Sequence, residues 1–256
     1  MWNPRLLAVV VLLALVGSPP VLGRALAADE PKLTRQEIEK IVQDYLVNNP
    51  EALAEALPGA LRILQQRQSV AAAQKAKQAI QENRQALLAD QSSPVEGNPQ
   101  GKVTIVEFFD YRCPHCRHVA PALDQLVNSN TSVRVVYKNF PVLGEPSVLA
   151  ARAAVAAQQQ GGWLKLHRAM LAYQGEFTVD NLLALGTSVG LDPAKLKADM
   201  MSPATDKALQ ANMTLAAALG LDATPSFVIG DRVIRGAPAP EAFQALVEEE
   251  TAKSAR

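Results

Sequence analysis

The chain of 256 residues has two cysteines, three positions apart, in the run Phe108-Phe109-Asp110-Tyr111-Arg112-Cys113-Pro114-His115-Cys116-Arg117-His118. Two thiols at this spacing can form a redox couple, clamp a soft metal, or simply be neighbours. Position suggests separate roles. Cys113 falls where an apolar strand gives way to a helical pattern, and Pro114 supplies the fixed φ of a first helical turn. Unpaired backbone N–H groups and the helix dipole favour a thiolate at such a place. His115 can add positive charge or a hydrogen bond beside that sulfur. A lowered pKa makes Cys113 a good leaving group, and Cys113 is then the sulfur that attacks or is attacked. Cys116, one turn further in, is suited to resolving a mixed disulfide. Glu107 interrupts the apolar strand six residues before Cys113, and an ionisable group there is costly to bury. It reads as a semi-buried carboxylate exchanging protons with the thiols and partnered by Lys138; the competing reading is a side chain at a strand edge reaching solvent.

Two thiolates and an imidazole also suit Cu(I) or zinc, but one couple supplies too few ligands for a closed zinc site. The other histidines, His118 and His167, fall within helical patterns and read as surface or packing residues. No resident metal or other cofactor is expected. Capture of Cu(I) by reduced Cys113 and Cys116, in the service of copper tolerance, is the alternative from a different functional class.

The elements that must hold these residues follow from the flanking patterns. Val103 to Phe109 is a nearly continuous apolar run, as in a strand buried on both faces. Val119, Leu123, Leu126 and Val127 recur at helical spacing, and Val133 to Tyr137 is a second strand, so the unit reads strand, cysteine pair, helix, strand. Residues 146–220 carry only helical patterns, divided at Gly161-Gly162, Thr178, Asp192-Pro193 and Ser202-Pro203. Ser226–Ile229 and Arg232–Arg235 form a hairpin around Gly230-Asp231, and a last helix runs from Pro240 to about Ala252. Ahead of the turn-rich stretch Ser92 to Gly101, residues 28–92 are helical. Thr34-Arg35-Gln36-Glu37 is a capping box, and Pro50 opens a second helix. An apolar stripe passes through Ile38, Ile41, Val42, Tyr45 and Leu46, then Leu53, Leu57, Leu61 and Leu64 across Pro58-Gly59. It has no evident partner nearby, so it either covers the C-terminal domain or pairs with copies of itself. The Ala/Gln/Lys-rich stretch from Gln65 to Asp90 reads as a helix with little to bury.

Arg5, an apolar run from Leu6 to Val16, a Gly17-Ser18-Pro19-Pro20 break and Ala25-Leu26-Ala27 describe a cleavable signal peptide over residues 1–27. The apolar run is too short to span a bilayer. The full chain balances 25 basic against 25 acidic residues. Loss of Arg5 and Arg24 with the signal leaves 23 against 25, a charge of −2, with no basic block to attract nucleic acid. One couple is also too few for a disulfide-stapled scaffold.

The run Val106-Glu107-Phe108-Phe109-Asp110-Tyr111-Arg112-Cys113-Pro114-His115-Cys116 resembles the active site of DsbA-family thiol–disulfide oxidoreductases. Residues 93–256 resemble that family's domain, with the helical insertion at about 146–220. The resemblance implies an α/β thioredoxin fold with an inserted all-helical subdomain and a reversible Cys113–Cys116 disulfide. It also implies a cis-proline loop at Ala223-Thr224-Pro225-Ser226-Phe227, with Pro225 against the sulfurs and the Thr224 backbone pairing with substrate. Leu33 to Leu53 before a polar helix further resembles the suppressor-of-copper-sensitivity C (ScsC) proteins. This branch implies a periplasmic oligomer, trimer or dimer, whose N-terminal region 28–92 assembles the subunits. Its expected partners are unfolded or misoxidised secreted proteins and a membrane redox partner. Thr224 before the proline resembles isomerases and His115 resembles oxidases, so both activities stay open, isomerisation first.

Overall fold

The computed structural model describes residues 33–90 and 92–254. The expected signal peptide, residues 1–27, lies outside them, as do residues 28–32. Contacts divide the chain into two compact units, Met1–Ala60 and Leu61–Arg256.

In the first unit, α1 (Arg35–Asn48) starts at the capping box read from the sequence: Thr34 accepts from the Glu37 N–H while the Glu37 carboxylate accepts from the Thr34 N–H. This satisfies two donors that a helix start otherwise leaves open. α1 buries none of its residues. Ile38, Ile41, Val42 and Tyr45 stay about half exposed (48–58%). α2 (Pro50–Glu82) opens at Pro50 and contains Pro58 within its span.

In the second unit, the long helical pattern expected to Asp90 ends at Glu82, and after Asn83 a short α3 (Arg84–Leu88) follows. Ile80 and Leu87 enter a buried cluster with Val106, Phe108, Val136, Leu215 and Val228. Part of the polar stretch up to residue 92 is therefore core.

The chain continues through β1 (Val95–Gly97), β2 (Val103–Phe109), α4 (Pro114–Ser129) and β3 (Val133–Asn139). Five helices follow: α5 (Glu145–Gln158), α6 (Trp163–Ala172), α7 (Val179–Ser188), α8 (Pro193–Met200) and α9 (Pro203–Ala218). β4 (Ser226–Ile229), β5 (Arg232–Arg235) and α10 (Pro240–Ser254) complete it. The sheet order is β1-β3-β2-β4-β5, with β2 and β3 parallel and the other pairs antiparallel. The arrangement is α/β, a thioredoxin fold with an all-helical insertion. Thr178, Asp192 and Ser202 cap α7, α8 and α9 with side-chain oxygens, at breaks the turn residues had marked. β1 was not foreseen: three residues between Pro94 and Asn98-Pro99 look like turn, and only pairing with β3 makes them strand.

Side chains on β2 alternate between two faces. Ile105 and Phe109 join the cluster formed with α4, α10 and the inserted helices. Val106 and Phe108 join the cluster formed with α3, α9 and the end of α2.

Candidate active site

β2 ends at Phe109, and Asp110 fixes the turn into α4. Its carboxylate, buried in a residue only 2% exposed, accepts from the Arg112 N–H and the Ser147 hydroxyl on Oδ1. It accepts from the Val142 and Leu143 N–H groups on Oδ2, all at 2.8–3.1 Å. One side chain thus ties the loop before the cysteines to the loop after β3. The sequence pattern alone assigns Asp110 no role; its only local signal is a short acid closing an apolar strand.

Cys113 is the N-cap of α4 with extended backbone (φ −72°, ψ 118°), and Pro114 occupies the first turn. Its amide donates to Asp110 O at 3.0 Å. Its thiol donates to the Thr224 carbonyl at 3.2 Å. The Thr224–Pro225 peptide bond is cis. Ser226 Oγ donates to Ala223 O at 2.7 Å, and Gly236 N–H donates to Pro225 O at 2.9 Å, so the loop is fixed from both sides. A separation of 111 residues in sequence closes here into one contact. Cys113 and Cys116 are both free thiols and both buried, while Pro114 and His115 are exposed on the first turn. Burial pushes the Cys116 thiol far above its ordinary range, and the charge of Glu107 adds to the effect.

Glu107 is 3% exposed, which rules out the solvent-reaching reading. It pairs in register with Tyr137 of β3 and Phe227 of β4. Nothing among the described residues forms an ion pair or side-chain hydrogen bond with it, and burial alone pushes its carboxyl up to about 8. The expected partnership with Lys138 does not form. Lys138 is one residue beyond Tyr137 and therefore points to the opposite face of the sheet, where Nζ pairs with Asp90 at 2.7 Å. Period-two alternation, visible only once the register is known, overturns that expectation.

His167 is buried, stacks on Trp163 with ring centroids 4.4 Å apart, and places Nδ1 2.9 Å from the Tyr111 hydroxyl. Burial, with a further contribution from Arg168, pushes it down to about 3, so it is a neutral packing group near pH 7. His118 is exposed. Among the described residues no group of three or more His, Cys, Asp or Glu side chains converges as a metal site.

A strand, a Cys-Pro-His-Cys helix start and a facing cis-proline loop define a thioredoxin-type redox centre. A family model described as thioredoxin matches residues 89–249, and the chain belongs to that family. Within it, the chain is 40% identical to a thioredoxin-like oxidoreductase of Silicibacter pomeroyi, covering 66% of this chain and 98% of the other with a TM-score of 0.64. A linker-deletion variant of Proteus mirabilis ScsC is 28% identical and covers 86% of this chain and 98% of its own, with a TM-score of 0.68. The thiol:disulfide interchange protein DsbA of Bordetella parapertussis is 27% identical over 144 residues, 54% of this chain and 68% of that protein. The chain also matches curated sodium/proton antiporters of the NhaA type, but spans about a quarter of their length; the Salinispora tropica protein is 30% identical over 155 residues. Among the described residues no helix is long and apolar enough to cross a membrane.

Proposed function

We propose that this chain is an exported thiol–disulfide oxidoreductase that reshuffles wrong disulfides in secreted proteins. The observation that carries the reading is the contact of Cys113 Sγ with the Thr224 carbonyl, with Cys116 buried behind it. Reduced Cys113, as thiolate, attacks a substrate disulfide. One substrate sulfur bonds to Cys113, and the other leaves as a thiolate that takes up a proton. The released thiol then attacks the mixed disulfide or another bridge, and Cys113 is regenerated with no net electron transfer. When rearrangement stalls, Cys116 loses its proton and displaces the substrate, leaving a Cys113–Cys116 disulfide and a reduced substrate. Cys116 needs a proton acceptor because burial holds its thiol so high. Glu107, with a carboxyl pushed up to about 8, can take a proton near neutral pH and return it. Pro225 shields the sulfurs, and the Thr224 backbone receives an extended substrate strand.

Isomerases gain from holding several thiol centres around one misfolded chain. The half-exposed stripe of Ile38, Ile41, Val42 and Tyr45 supports assembly of copies through the N-terminal region, since apolar patches of this kind mark interaction surfaces. Simple disulfide donation is the second reading, supported by His115 between the cysteines and by the likeness to DsbA.

Reactivation of a scrambled-disulfide ribonuclease by reduced protein tests the proposal. An Ile41→Lys/Tyr45→Lys variant isolates assembly better than truncation to residue 92 would, because Ile80 and Leu87 belong to the core. Reactivation that drops in the variant supports an oligomeric isomerase. No reactivation, with rapid oxidation of a reduced substrate by oxidised protein, makes the chain a donor.

A further inference from the structure

Two guanidinium groups flank the reactive cysteine. Arg112 precedes Cys113 directly, and Arg117 lies one turn along α4. Each is held by a backbone carbonyl: Arg112 Nη1 donates to Leu143 O and Arg117 Nε to Tyr111 O, both at 2.9 Å. Arg117 Cζ stands 6.0 Å from the centroid of the Phe177 ring. The two arginines, Phe177 and Gln174 help to line a cavity of about 380 Å³, and Glu176 brings a carboxylate to the same wall.

Arg35, Arg152, Arg168 and Arg232 each pair with a carboxylate, whereas Arg62, Arg67, Arg84, Arg134 and Arg235 form no ion pair among the described residues; what sets Arg112 and Arg117 apart is that both line this one cavity. Among the described residues Arg112 and Arg117 form no such ion pair, not even with Glu176. Their anchoring bonds leave both Nη groups of Arg117, and Nε and Nη2 of Arg112, without a partner in the same set. A guanidinium held in place and left with open donors is shaped for a planar carboxylate, which it binds through parallel hydrogen bonds. Buried Phe177 lowers the local polarity under Arg117 and strengthens such a contact relative to one in open water.

We propose that this cavity is a carboxylate subsite of the exchange centre. An acidic group a few residues from the substrate's reacting sulfur docks between Arg112 and Arg117, so the protein prefers disulfides flanked by acidic residues. The inference rests on the oxidoreductase reading above and names a substrate class for it. The same chemistry has two sources, the acidic side chains of a protein and the terminal carboxylates of a small peptide thiol.

The test measures exchange rates of the reduced full chain with short disulfide peptides carrying Asp or Asn at each of three positions on either side of the cysteine. A second arm compares glutathione disulfide with its ester, which lacks the carboxylates. At low ionic strength the acidic member of at least one peptide pair reacts roughly five- to tenfold faster, and salt erodes the difference. The ratio within each protein is the readout, because changing an arginine also alters the loop it anchors. In Arg112→Gln/Arg117→Gln the ratio falls to about one. In Arg117→Lys, which keeps the charge and loses the fork, most of the preference goes as well. Preference confined to the peptides assigns protein substrates, and preference confined to glutathione disulfide assigns a small thiol. Equal rates in both arms for the unaltered protein, or a ratio undiminished in Arg117→Lys, overturn the subsite while leaving the oxidoreductase reading in place. Failure of every disulfide to react removes that reading, and the subsite with it.

Discussion

Glu107 and Lys138 are both buried and ordinarily charged, they lie on opposite faces of the central sheet, and they are handled in opposite ways. On one face Lys138, 1% exposed, gives Nζ to Asp90 at 2.7 Å. Burial works against the Asp90 anion, but hydrogen bonds from Lys138, Ser92 and Ser93 outweigh it and hold the carboxyl well below its usual range. On the other face Glu107, 3% exposed, has no such partner among the described residues and is pushed up to about 8. A buried charge that is paired and hydrogen-bonded tolerates its surroundings and contributes little chemistry. A buried acid left alone becomes a group that changes protonation near pH 8, and it lies on the same face as the cysteines. Glu107 and Lys138 are a single register position apart on paired strands, and that one step separates chemistry from structure by the face each side chain occupies.

The contrast can be broken at four points. The largest effect belongs to Cys113→Ser, which takes exchange with any disulfide to the uncatalysed background. Lys138→Met, on the opposite face, leaves the exchange rate per folded molecule within about twofold. Stopped-flow exchange assays read both.

Glu107→Gln comes next, and it has a pH signature. In the folded protein Glu107 stays protonated until about pH 8, whereas in the unfolded chain it ionises near 4.5. Its contribution to stability is complete below 4.5 and is lost as pH rises through 8. Stability of Glu107→Gln relative to the unaltered protein therefore climbs by on the order of 5 kcal/mol between those limits. His167 acts in the other direction, losing stability as pH falls from 6.5 towards 3. The two slopes oppose each other between 4.5 and 6.5, so the unaltered protein has a plateau there and Glu107→Gln does not. Urea titrations across pH check this. The same substitution slows the Cys116 step by roughly tenfold or more, since the acceptor is gone, and a parallel unaltered rate would return Glu107 to a purely structural role.

Lys138→Met follows. It leaves Asp90 without its cation and costs about 2–3 kcal/mol in denaturant unfolding, and adding Asp90→Asn recovers part of that loss. Tyr111→Phe is the smallest change: losing the 2.9 Å contact with His167 costs about 1 kcal/mol and leaves exchange close to unaltered.

Local patterns carried much of this into view. β2, the β4–β5 hairpin, the capping box at Thr34 and the caps at Thr178, Asp192 and Ser202 depend on residues within a few positions of one another, so composition and period reveal them. β1 escaped because three residues among prolines and glycines become strand only beside β3. Ile80 and Leu87 escaped because nothing nearby says that the end of a polar helix reaches the core. Asp110 escaped because its four donors come from residues up to 37 positions away.

By itself, then, the sequence established the cysteine pair, its place at a helix start, the proline at the first turn and an ionisable residue in an apolar strand, all encoded within a dozen consecutive residues. Folding settled the rest. The Cys113–Thr224 contact joins segments 111 residues apart. The partner of Lys138 and the isolation of Glu107 depend on strand register, because a pleated strand sends neighbouring side chains to opposite faces, and which face meets which cluster is set by the packing of helices far away in the chain.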